Sequence, residues 1–150
     1  MTQELNLAAA TLSFLSLKGI GPKKTNKILS AISNQDIGYD RLLELVKINN
    51  KTIDEHEWVS AWSKSQQILN KQIEVGIRFV TPMDSNYPPL LNELSDRPPI
   101  LFYKGNIAIL NKPLTIAIVG TRRSSPEHID TFKKICTTYA NKSDCIDSGL

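Results

Sequence analysis

With 150 residues, 41% of them hydrophobic and 22% charged, the chain is too apolar for a disordered segment and has room for one ordinary domain or two small ones. Its 18 Lys and Arg against 15 Asp and Glu leave a net charge of +3, which permits nucleic-acid binding without requiring it. No apolar run approaches membrane-spanning length and no basic-then-apolar leader opens the chain, so a cytoplasmic protein away from the membrane is expected.

Residues 3–17 read as a helix, with Leu5, Ala8, Leu12 and Leu15 at helical spacing. Gly19 and Gly21 then break the pattern and allow positive φ, and Pro22 suits the first turn of a second helix carrying Ile28, Leu29 and Ile32. Asp40 is placed to cap a third helix through Leu42, Leu43 and Val46. Asp54, with Glu57 three residues on, opens a long helix that carries Trp58, Trp62, Leu69 and Ile73 and ends near Gly76. Residues 1–76 therefore predict a small all-α domain. Ile77–Val80 is a short strand signal. The stretches 87–91 and 97–103 alternate prolines with apolar residues, which predicts extended or edge segments. Thr115–Val119 is apolar or β-branched throughout, as in a strand buried on both faces. A helix opening at Ser124, Pro126 and Glu127 follows, with Ile129, Phe132, Cys136 and Tyr139 as its apolar stripe, and 144–147 is the candidate next strand. The fold class is α/β, and residues 77–150 form an extended proline-rich connector and the beginning of a parallel-sheet domain. A sheet this small leaves apolar faces uncovered after about Pro113.

Two motifs carry chemistry. Gly19-Ile20-Gly21-Pro22-Lys23-Lys24, flanked by Lys18 and Lys27, joins two predicted helices. A turn of this kind offers the N–H groups of the second helix to a phosphate, with lysines adding charge. The same glycines also suit a plain helix–helix turn, and both readings stand. Gly120-Thr121-Arg122-Arg123-Ser124-Ser125 lies at the carboxyl end of a predicted parallel strand, where open α/β sheets bind ligands. Glycine lets backbone approach an anion closely and arginine grips phosphate bidentately, whereas the bland alternative is a solvated loop. The loop lacks the Gly-Lys-[Ser/Thr] ending of a nucleotide-binding P-loop. His56 and His128 sit in no catalytic or metal-ligand pattern, Trp58 and Trp62 are read as core, and Cys136 and Cys145 as buried, reduced thiols spaced for neither zinc nor a CxxC pair.

Three runs in order, Tyr87-Pro88-Pro89-Leu90-Leu91, Pro98-Pro99-Ile100-Leu101-Phe102-Tyr103-Lys104-Gly105-Asn106 and Ile116-Ala117-Ile118-Val119-Gly120-Thr121-Arg122-Arg123, resemble the DprA/Smf family of DNA-processing proteins. Gly19 to Lys23 is similar to that family's N-terminal SAM-like or helix-hairpin-helix segment. The resemblance implies a Rossmann-like domain that binds single-stranded DNA without catalysis. It also implies a role in natural transformation and DNA recombination, in which incoming DNA is protected and the RecA recombinase is loaded onto it. Gly120, Thr121 and Arg122, with Arg123 beside them, match the family's phosphate-contacting loop, and Ser148-Gly149 matches the start of its second loop. Where the family has Tyr-Gly after the arginine loop, Glu127-His128 stand here. The resemblance further implies an N-terminal portion of such a protein, homodimeric in full-length form, with no cofactor and no metal. The rival from another class is a LOG-like nucleotide phosphoribohydrolase, whose Pro-Gly-Gly-x-Gly-Thr segment is not found in these residues.

Overall fold

A computed structural model describes residues 3–32, 38–119 and 125–140, and the backbone of 145–148. The chain divides into two compact units, Met1–Gly105 and Asn106–Leu150. The first holds helices α1 (Gln3–Ser16), α2 (Pro22–Ser30), α3 (Tyr39–Asn49) and α4 (Glu55–Glu74), strand β1 (Arg78–Val80), the one-turn helix α5 (Pro89–Asn92) and strand β2 (Leu101–Tyr103). The second holds a 3-10 turn (Ile107–Asn111), strand β3 (Thr115–Ile118), helix α6 (Pro126–Ala140) and strand β4 (Cys145–Ser148). The fold is thus mixed helix and sheet.

Helix α1 is the centre of the first unit. The single stripe expected from Leu5, Ala8, Leu12 and Leu15 understates its burial: Leu7 to Thr11, Ser13 and Phe14 are all inside. One side, through Leu7, Ala10 and Phe14, joins the main core with Leu17, Ile20, Ile28, Leu29, Leu42, Val46 and Trp58. The other, through Ala8 and Ala9, joins a second cluster with Leu69, against which Leu5, Leu12, Phe79 and Ile100 pack. Alanines have almost no side chain to hold helices apart, so α4 lies close along α1. The buried hydroxyls of Ser13 and Ser65 meet there at 3.1 Å, and Ser13 also donates to the Ala9 carbonyl. Trp58 is wholly buried and stacks obliquely on Phe14 at 5.4 Å between centroids, as its reading as a core residue requires.

The helix ends follow local chemistry. Asp54 caps α4, its carboxylate accepting from the Glu57 amide at 2.7 Å. Gly76 at φ +75° closes α4, with the Ile77 amide donating to the Gln72 carbonyl and Gly76 to Ile73, the paired bonds of a Schellman ending. The expected Asp40 cap is not seen. Helix α3 starts two residues earlier, with Gly38 at the cap position, and Asp40 sits in the first turn, where its charge suits the helix dipole.

Strands β1 and β2 pair antiparallel, Phe79 opposite Phe102. The prolines between them do not keep the whole stretch extended, because Pro89 occupies the first position of α5, where its missing N–H costs nothing. Tyr87 is buried and its phenol donates to the Pro98 carbonyl at 2.7 Å. In the second unit β3 and β4 pair in parallel across α6, Ile118 opposite Ser148. The expectation that Thr115–Val119 is buried on both faces is not met. Residues 115–118 alternate between exposed and half-buried, and Val119 is 85% exposed. Among the described residues of this unit α6 is the one α-helix, and a single helix does not cover both faces of the strand. Cys136 is a free thiol, half-buried rather than buried, because α6 exposes most of its surface.

Two tests follow from this packing. Ala9→Leu should destabilise the first unit by about 1–3 kcal/mol through overpacking between α1 and its neighbours, read as a lowered midpoint in urea unfolding. Burial pushes the Tyr87 phenol above its ordinary value of 10.0, with the Arg97 guanidinium opposing the shift. A raised folded value means that its stabilising contribution is complete below pH 10.0 and is lost as pH climbs through the raised value. Tyr87→Phe should therefore cost about 0.5–1.5 kcal/mol at neutral pH through the lost bond. It should also make unfolding less pH-dependent on the alkaline side, as measured by denaturant midpoints across the alkaline range.

Candidate nucleic-acid interface

The glycine hairpin is built from one residue at positive φ and one in ordinary extended backbone. Gly19 has φ +79°, which only glycine adopts without cost, and its reversal lets Ile20 turn back into the core, where it is 3% exposed. Asn50 at the end of α3 holds the turn from outside. Its side-chain amide donates to the Lys18 carbonyl at 2.9 Å, while its Oδ1 accepts from the Thr52 hydroxyl at 2.7 Å and the Thr52 amide at 3.2 Å. Gly21 departs from expectation. It has φ −93° and ψ −178°, ordinary extended backbone, and serves as the cap residue of α2. It offers no side chain to the helix amides, and Pro22 at the first position has no N–H to offer. The amides of Lys23 and Lys24 consequently have no side-chain cap and stand beside two cationic side chains, Lys23 exposed and Lys24 half-buried. Gly21, Pro22, Lys23 and Lys24 line an open groove of about 460 Å³ whose remaining wall is Asp96.

Asp96 is not among the sequence-predicted residues, and neither are the groups that place it. The Asn26 side chain donates to the Arg97 carbonyl at 2.8 Å across 71 residues of sequence. A long-range bond of this kind leaves no periodic signal. A cleft of about 560 Å³ between Glu4, Arg78, Asp84, Asn86 and Tyr103 contains none of the predicted site residues.

The second candidate site belongs to the other unit. Gly120, Thr121, Arg122, Arg123 and Gly149 lie outside the described residues. Their frame is described. Strand β3 ends at Ile118 and α6 begins at Pro126, so the loop joins the carboxyl end of a parallel strand to a helix start. Ser125 precedes the helix, its carbonyl accepting from the Ile129 amide at 3.1 Å and its hydroxyl from the His128 amide at 3.4 Å, while Ser124 lies outside the described residues. Register places Ser148, the last residue of β4, beside Ile118. The strand that leads into the arginine loop and the strand that ends in Ser148 therefore finish at the same edge of the sheet. A strand–loop–helix–strand frame of this kind presents loop backbone and a helix N-terminus together, which suits an anion.

Residues 78–150 match the family model described as DNA recombination-mediator protein A. The chain is also 38% identical over 68 residues to the DNA processing protein DprA of Streptococcus pneumoniae, covering 45% of this chain and 23% of that protein. It is 30% identical over 89 residues to DprA of Bacillus subtilis, covering 59% and 30% respectively. Against protein Smf of Synechocystis it is 32% identical over 87 residues, covering 56% and 22%. Over residues 78–150 the chain is similar to the DprA/Smf family. It spans less than a third of the length of these curated relatives. The match begins at β1, so the arginine loop falls inside the family region and the glycine hairpin falls before it.

The two glycines should separate on substitution. Gly19→Ser should destabilise the first unit by about 1–2 kcal/mol, because a side chain at positive φ is strained. Gly21→Ser should be neutral or stabilise by a few tenths of a kcal/mol, since no atom lies within 4 Å of its missing Cβ and serine is the better cap. Thermal melting of the two variants against the parent checks the pair, and equal losses would contradict the assignment of the positive-φ requirement to Gly19 alone.

Proposed function

We propose that this chain contributes to single-stranded DNA binding by a DprA/Smf-type protein, in which Gly120, Thr121, Arg122 and Arg123, with Ser148 and Gly149, grip phosphates without catalysis. The observation that carries this reading is the parallel β3–α6–β4 frame within the family region, with the arginine loop spanning the end of β3 and the start of α6. The frame is read as the beginning of a Rossmann-like domain running through residues 77–150, and residues 1–76 as a SAM-like helix-hairpin-helix domain whose Gly19, Gly21, Lys23 and Lys24 add a second phosphate contact. In this reading the whole protein works in the cytoplasm during natural transformation and recombination, as a homodimer that shields incoming single strands and loads RecA. The names of the relatives, which speak of DNA processing, support the direction. Among the described residues no helix is long and apolar enough to cross a membrane.

Phosphate contacts carry no base information, so binding should vary little between oligonucleotides of different sequence and should weaken steeply with salt. Arg122→Ala should lower affinity for a thymidine oligonucleotide by about 1–3 kcal/mol, the scale of a charge-assisted bond, in titrations that also show the variant folded. Unchanged affinity would remove the arginine loop from the site. Release of free base from a nucleoside monophosphate would turn the reading toward a phosphoribohydrolase.

A further inference from the structure

We draw no further inference here: the strongest candidate, the cleft between the end of α4, strand β1 and Tyr103 of β2, carries nothing because its Glu4 and Arg78 side chains are exposed, its Asp84 carboxylate is already bonded to Thr81, and nothing in the structure shows what would occupy it.

Discussion

Everything in the first unit depends on α1 being narrow enough to be buried from both sides. Ala8, Ala9 and Ala10 follow one another, so each direction around that turn of the helix presents a methyl group instead of a long side chain. Helix α4 can lie close along this surface, and Ser13 and Ser65 close the contact with a buried hydroxyl pair rather than a void. Two cores result, one on either side of a single helix. The second core is finished by Phe79 and Ile100, which lie beyond the predicted end of the helical domain. The compact unit accordingly runs to Gly105, and the connector is packed material rather than a tether.

That arrangement also places the hairpin. Phe14, Leu17 and Ile20 enter the main core in succession, so the chain must reverse between α1 and α2 without exposing Ile20. Only the positive φ of Gly19 allows so tight a reversal. With Ile20 anchored, Gly21 is free to be extended, and α2 begins with no side chain over its first amides. Two glycines that look alike in sequence thus have different parts in the turn. Gly19 serves the turn, and Gly21 leaves the helix start uncapped.

Much of this architecture is legible in the amino-acid sequence. The capping of α4 by Asp54 and its ending at Gly76 are local, and local chemistry reads directly. The strand at 115–118, the helix after the arginine loop and the next strand also lie where the pattern places them, displaced by a residue or so. The features that escape such a reading depend on tertiary context. Asp40 has the chemistry of a cap, but the helix gains two residues upstream, Tyr39 and Asp40 itself. The prolines at 88 and 89 suggest an extended chain, although a proline is equally at home at the start of a helix. The full burial expected of β3 presumes cover on both faces that the described residues do not supply. The bond from Asn26 to the Arg97 carbonyl carries no signal at all, since a contact across 71 residues leaves no periodic mark at either end.

The two candidate sites share a chemistry that bears on what kind of recognition is proposed. Each offers glycine, backbone amides at a helix start and basic side chains, and neither hairpin nor arginine loop contains an aromatic residue. Stacking is the other common way of holding a single strand, and it needs an exposed ring. The tryptophans are not available for it: Trp58 is wholly buried, and Trp62 is half-buried against Trp58 and Tyr39. A surface that grips through charge and backbone follows the phosphate chain and is indifferent to the bases along it. Such a surface suits a protein that must accept whatever strand arrives. For a surface of that kind the balance of charge, rather than the fit to a base, is the main variable that sets affinity.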